Sequence, residues 1–202
     1  MSQLDFYTNP QSRGRMIRWM LEETGADYET HILTYNDTMK SEDYLAINPM
    51  GKVPAIVHDG RVVTECAAIC AYLADVFPEA ALAPAVDDRA SYYRWLFFAA
   101  GPLEAATVNR AFGFVVPADR ERAVGYGTFE HVMDTLDMRL SESPYITGDH
   151  FTAADVYVGS HVIWGIKFNM VETRASFQDY AEKLVVRPAF IRANQLDEEA
   201  AA

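Results

Sequence analysis

Cysteine is scarce in this chain, with only Cys66 and Cys70 among 202 residues. Four positions apart, they form no CxxC redox pair. The five histidines show no HxxxH or Cys/His grouping beside them. The pattern therefore offers neither a metal site nor a structural disulfide. Long apolar runs are missing too. No stretch approaches the ~18 uninterrupted apolar residues of a membrane span. The opening segment, Met1 to Arg15, reaches polar residues too soon for the apolar region of a signal peptide. A cytoplasmic protein without a membrane partner is expected. Positive charge is in deficit as well: 17 basic residues stand against 29 acidic ones, a formal net charge of -12. Such a surface repels phosphate backbones, which excludes nucleic-acid binding through a broad basic face. An anionic ligand would need a local cation or a helix N-terminus. The acidic end, Asp197 to Glu199 followed by alanines, reads as a solvated terminus.

Apolar material is plentiful. Half of the residues are hydrophobic, enough to build one large core or two small ones. Leu4 to Tyr7 reads as a strand broken by Asn9-Pro10. Ser12 then stands where it can cap a helix with apolar positions at 16, 17, 20 and 21, ending at Gly25. Tyr28 to Leu33 reads as a second strand, and the crossover predicts a parallel, right-handed pairing. A short helix over Glu42 to Ile47 precedes Asn48-Pro-Met-Gly-Lys-Val-Pro54. Two β-branched runs, 55–57 and 61–63, flank Asp59-Gly60, a strong hairpin signal. A helix is predicted from Glu65 to Phe77. The first half is thus α/β, a mixed four-stranded sheet with packed helices.

Two prolines, Pro78 and Pro84, punctuate a predicted linker over 79–86. Beyond it the signals become helical. A long helix carries Tyr92, Leu96, Ala99, Leu103 and Ala106 on one stripe and should kink at Gly101-Pro102. Further helices are predicted from about Ala118 to Leu140, from the capping sequence Thr152-Ala-Ala-Asp155, over 174–184 and over 188–196. The expected organisation is an α/β domain over 1–78 and an all-helical bundle over 87–202.

Several segments together resemble the cytosolic glutathione S-transferases, bacterial members in particular. Asn48 to Pro54, the Asp59-Gly60 hairpin and Glu65-Cys-Ala-Ala-Ile-Cys-Ala-Tyr-Leu73 resemble the family's binding half. Gly148-Asp-His-Phe-Thr-Ala-Ala-Asp155 resembles its folding motif in the helical half. The resemblance implies a thioredoxin-like N-terminal domain that binds glutathione as co-substrate. It also implies a cis Val53-Pro54 bond, with the backbone of Val53 meeting the tripeptide. Glu65 would accept the γ-glutamyl ammonium, and the N–H of Cys66 its carboxylate, with the weak thiol replacing the family's usual serine hydroxyl. Lys52 is a candidate cation for the glycyl carboxylate or for Glu65.

Catalysis would need the glutathione thiolate. An ordinary thiol has a pKa of ~8.5, and lowering it by ~2 units takes about 2.7 kcal/mol of preference for the thiolate. A hydrogen bond to a charged group supplies roughly 1.5–3 kcal/mol. Ser12 is the preferred donor, because it falls where one bacterial class carries its catalytic cysteine. Thr8 and Tyr7 stay open, matching the serine-type and tyrosine-type positions. With no cysteine in this loop, a mixed-disulfide mechanism is disfavoured. The zeta branch's paired serines and cysteine are absent too, which disfavours isomerisation. Tyr93, Phe97, Asn109, Arg110, Phe112 and Trp164 are candidates for the wall of the electrophile pocket. The expected activity is conjugation to, or glutathione-dependent reduction of, a small hydrophobic electrophile by a detoxifying homodimer. The alternative is a non-catalytic binding module, since the same fold serves as a scaffold in stringent starvation proteins.

Overall fold

The computed structural model describes residues 3–201. Its contacts divide the chain into two compact units: residues up to Leu82 together with those from Val186 onward, and Ala83–Val185.

The first unit is built on a four-stranded mixed sheet in the order β2-β1-β3-β4, with β1 at Leu4–Thr8, β2 at Glu29–Ile32, β3 at Ala55–His58 and β4 at Arg61–Thr64. The predicted crossover is present: β1 and β2 pair in parallel, joined through helix α1, Gly14–Thr24. β3 pairs antiparallel with both β1 and β4. The hairpin turn has positive φ at both Asp59 (48°) and Gly60 (77°), the backbone a two-residue I′ turn requires. Short helix α2, Glu42–Ile47, is capped by Ser41, whose side chain accepts from the Tyr44 N–H. Helix α3, Cys66–Val76, packs on α1. Phe6, Ile17, Met20, Leu21, Ile56, Ile69 and Leu73 are fully buried between these layers.

The last helix, α9 (Pro188–Ala201), belongs by sequence order with the helical half, but it packs on α1 in the first unit. The supposed solvated end is anchored here. Asp197 is only 1% exposed and accepts from Arg18 Nε at 2.7 Å, Arg187 clamps Glu23 at 2.6 and 2.7 Å, and Trp19 meets the edge of Phe190. Glu198 and Glu199 are exposed as expected; only Asp197 departs, because sequence order does not reveal that it faces a buried arginine.

The second unit is all helical. Helices α4, Ala90–Phe98, and α5, Glu104–Ala111, are joined by a π-helical turn over Ala99–Leu103 that contains Pro102, at the predicted kink. Proline has no N–H to donate, and the wider turn absorbs the missing bond. The next helix starts later than expected. Ala118–Ala123 forms a 3-10 turn, and α6 runs from Phe129 to Glu142. Gly127, at φ 67°, interrupts the path, and Thr128 caps the true start by accepting from the His131 N–H. Helix α7, Ala153–Lys167, is buried on nearly every side through its first ten residues and packs on α4 and on α8, Ala175–Val185. The carboxylate of Asp155 organises its start, accepting from the Thr152 N–H and hydroxyl, the Ile146 N–H and the Tyr180 hydroxyl. No helix among the described residues is long and apolar enough to cross a membrane.

Candidate functional site

Strand register assembles the site. Tyr7 pairs with Ala55 on β3, and Ala55 pairs with Thr64 on β4. The residues just beyond those pairs therefore collect at one end of the sheet: Thr8 closing β1, Pro54 before β3 and Glu65 after β4. The helix α3 that starts there lies beside the β1–α1 loop, with Cys66 Sγ 3.9 Å from the carbonyl of Arg13. Three segments far apart in sequence meet in one place.

The Val53-Pro54 bond is cis. Pro54 is buried and Val53 half-buried, and neither the N–H nor the C=O of Val53 has a hydrogen-bond partner among the described residues. Immediately before it, the carbonyl of Lys52 accepts from the Tyr44 hydroxyl at 2.5 Å and from Asn48 Nδ2 at 2.8 Å. Lys40 Nζ donates to the carbonyl of Gly51 at 2.8 Å. Gly51 needs its lack of side chain: its φ is 57°, and a Cβ would stand 2.7 Å from Lys40 Nζ and 2.9 Å from the carbonyl oxygen of Met39. The Lys52 side chain is exposed.

Glu65 is the residue before α3 and has φ 68° and ψ 121°, a conformation that a residue with a side chain rarely adopts. Its carboxylate is exposed beside the helix N-terminus, where the backbone dipole favours an anion. Cys66 is 8% exposed, and neither cysteine is in a disulfide among the described residues. Burial pushes the Cys70 thiol well above its ordinary value, so Cys70 has no role as a thiolate.

The three hydroxyl candidates occupy different environments. Ser12 is half-buried; its Oγ donates to the carbonyl of Asn9 at 2.7 Å and accepts from the Gly14 N–H at 2.9 Å. It satisfies a backbone donor at the first turn of α1, as its predicted capping role anticipates, although Arg13 occupies the formal cap position. Thr8 has no exposed surface, and its Oγ1 is buried without a partner. Tyr7 stacks on His31, with ring centroids 4.6 Å apart, and lies 5.6 Å from the Tyr44 ring. Burial, then the neighbouring carboxylates of Asp5 and Glu29, raise the pKa of Tyr7, keeping the phenol protonated at neutral pH.

The candidates for the electrophile wall all lie in the helical unit. Tyr93, Phe97 and Phe112 are exposed, the last two by 70% and 72%. Trp164 is half-buried. Asn109 Nδ2 donates to the Tyr126 hydroxyl at 3.0 Å. Arg110 lies 4.0 Å from the centroid of the Phe129 ring and within 4.0 Å of Glu130 and Glu172. Asn109 and Arg110 are thus held by partners inside their own unit.

Sequence reading missed Lys40, Tyr44 and Asn48, which hold the loop before Pro54. Asn48 stood in the quoted motif, but its task depends on where Lys52 folds back. One cluster of ligand-type side chains also has no counterpart in the sequence pattern. Asp5, Glu29 and His31 bring their ligand atoms within 4.8 Å of one another, with His31 Nε2 2.8 Å from Asp5 Oδ1. The three come from two strands paired in register, so linear spacing gave no sign of them.

Residues 12–76 match the family described as Glutathione S-transferase, N-terminal domain, and residues 79–164 match Glutathione S-transferase, C-terminal domain. Glutathione S-transferase GstA of Escherichia coli O157:H7 is 32% identical over 182 residues, covering 84% of this chain and 88% of that protein. This chain belongs to the glutathione S-transferase family. Among solved structures, a glutathione transferase from Methylococcus capsulatus aligns with a TM-score of 0.81 at 26% identity over 97% of this chain and 99% of its own. A sphingomonad glutathione S-transferase complexed with glutathione aligns with a TM-score of 0.76 at 29% identity over 96% and 98%. The thioredoxin-like domain and the helical domain of the family are both present here.

Proposed function

We propose that this protein binds glutathione at the end of the sheet and directs its thiolate at a small hydrophobic electrophile. The observation that carries the reading is the convergence, through strand register, of an unpartnered Val53 backbone with the Glu65-Cys66 start of α3. A peptide-like ligand needs both a backbone edge to pair with and a terminus that accepts a charged amino-acid head. The sphingomonad relative, solved with glutathione, supports this identity for the ligand. In this reading Val53 bonds the cysteinyl backbone, Glu65 takes the γ-glutamyl ammonium, and the Cys66 N–H takes its carboxylate. Lys52 approaches the glycyl carboxylate.

Ser12 is the proposed thiolate donor. It is half-exposed at the start of α1, whereas Thr8 is sealed. To serve, the Ser12 hydroxyl turns its proton from Asn9 toward the sulfur. Tyr7, near the end of β1 and kept protonated, is the second candidate donor. With a chlorinated nitroaromatic the thiol proton goes to solvent, a C–S bond forms, the C–Cl bond breaks and chloride leaves. The reading extends to a cytoplasmic, detoxifying homodimer built on α3 and the α4–α5 helix. Sedimentation as a single species at the mass of one chain would remove the dimer.

The rival reading is a non-catalytic binding module. It is favoured by Cys66 in the place of a hydroxyl and by a Ser12 proton already engaged with Asn9. Calorimetry with millimolar glutathione, followed by an absorbance assay with the chlorinated nitroaromatic, separates the two. Heat of binding with turnover supports the enzyme, whereas absence of both overturns it and favours the non-catalytic scaffold.

A further inference from the structure

We infer that Tyr44 and Asn48 are positioning residues that aim the Val53 N–H at glutathione, acting through the Lys52–Val53 peptide. The inference rests on the glutathione-binding reading above and adds to it two residues that need not touch the ligand.

The argument begins with the peptide plane. A trans peptide holds its C=O and N–H antiparallel within one rigid plane. The cis bond in this loop is Val53-Pro54, so the preceding Lys52–Val53 unit is trans. Fixing the direction of the Lys52 carbonyl therefore fixes the Val53 N–H in the opposite direction.

Two buried side chains do the fixing. Tyr44 is 3% exposed and Asn48 5%. The Tyr44 hydroxyl and Asn48 Nδ2 both donate to the Lys52 oxygen, at 2.5 and 2.8 Å, filling both of its lone-pair directions. Asn48 is itself locked in place. Its N–H donates to the carbonyl of Tyr44 at 2.8 Å, its Oδ1 accepts from the Met50 N–H at 3.1 Å, and its carbonyl accepts from the Gly51 N–H at 2.8 Å. These bonds leave one orientation for the side-chain amide, with oxygen toward Met50 and nitrogen toward Lys52. The loop's carbonyls thus point inward, and the unpartnered Val53 N–H faces the other way. A donor already aimed before the ligand arrives loses little entropy on binding. Because Tyr44 also lies against Tyr7, the same ring ties this loop to the first strand.

The test is glutathione affinity by calorimetry, with kcat at saturating glutathione and thermal midpoints, for the wild type, Tyr44→Phe and Asn48→Asp. Phenylalanine keeps the ring and its tilted contact with Tyr7 but removes one donor. We expect the dissociation constant to rise about fivefold, the effect of one ordinary hydrogen bond. Asn48→Asp replaces the second donor by an acceptor facing the Lys52 carbonyl and should raise it further, by tenfold or more. In both, kcat at saturation stays within about twofold. Unchanged affinity in a folded Tyr44→Phe protein, even with a lowered thermal midpoint, would reduce the pair to a structural role and overturn the inference alone. Failure of the wild type to bind glutathione would overturn the functional reading together with it.

Discussion

At the scale of single residues, Thr8 and Gly14 form one unit. A Cβ on Gly14 would stand 1.9 Å from Thr8 Oγ1 and 3.0 Å from Thr8 Cβ. The hydroxyl of Thr8 leans over the bare glycine and, in doing so, has no partner. A buried hydroxyl without a hydrogen bond is destabilising, and an isosteric methyl removes the penalty. Thr8→Val should therefore stabilise the protein by about 1 kcal/mol, raising the thermal midpoint by roughly 2–4 °C. Its turnover should match the wild type if Thr8 is not the thiolate donor. Gly14→Ala should be destabilising, and a Thr8→Ala/Gly14→Ala double variant should recover part of the loss because the closest atom is gone. Thermal denaturation of the set measures the coupling. Ser12 carries the complementary expectation. Ser12→Ala should lower thiol-conjugating turnover tenfold or more, and unchanged kinetics would pass the role to Tyr7 or Thr8.

At the scale of elements, α9 is the piece whose attachment rests most on specific pairs. Arg18 and Asp197 have side chains 4% and 1% exposed. Arg18 also donates to Thr30 Oγ1 at 3.2 Å and lies 5.2 Å from the centroid of the Phe6 ring. An ion pair so buried adds little over a well-packed apolar pair, but removing one partner strands the other charge. Asp197→Ala should destabilise the protein by about 3–5 kcal/mol, read from the denaturant midpoint. Replacing both residues, Arg18→Met with Asp197→Leu, should restore most of that loss. Breaking the exposed Arg120–Asp119 contact should change nothing measurable, since solvent screens it.

At the scale of the whole molecule, alkaline pH exposes the cost of buried phenols. Burial above all pushes Tyr44 up to about 12; for Tyr28, also at about 12, the hydrogen bond to Glu22 adds to burial. In the unfolded chain both titrate near 10. From about pH 10 upward the unfolded state releases protons that the folded state keeps, so stability falls as pH rises toward 12. Below pH ~10 these two groups leave stability unchanged. Denaturant midpoints measured from pH 8 to 11 should decline only at the upper end. A Tyr44→Phe protein should show a shallower decline. An equal slope in the variant would mean that Tyr44 does not contribute.

The sequence alone determined whatever depends on near neighbours. Hydrophobic periodicity marked α1 and α3, Asp59-Gly60 marked the hairpin because its backbone needs two positive φ angles, and Pro102 marked the break between α4 and α5. The segments proposed to bind glutathione, Asn48 to Pro54 and Glu65-Cys66, stood out through short motifs that resemble the family's, and the cis Val53-Pro54 bond that the resemblance implies is present. What lay beyond reach depends on who meets whom across the chain. That Asp197 is buried against Arg18, that Asp5, Glu29 and His31 converge, and that Tyr44 and Asn48 hold the Lys52 carbonyl follow from pairings that no local pattern encodes. The late start of α6 is an intermediate case, since Gly127 and Thr128 signal it while the charges over 118–123 also suit a helix. Local sequence sets which conformations are cheap, but the burial that turns a charge or a hydroxyl into a structural partner exists only once distant segments have packed.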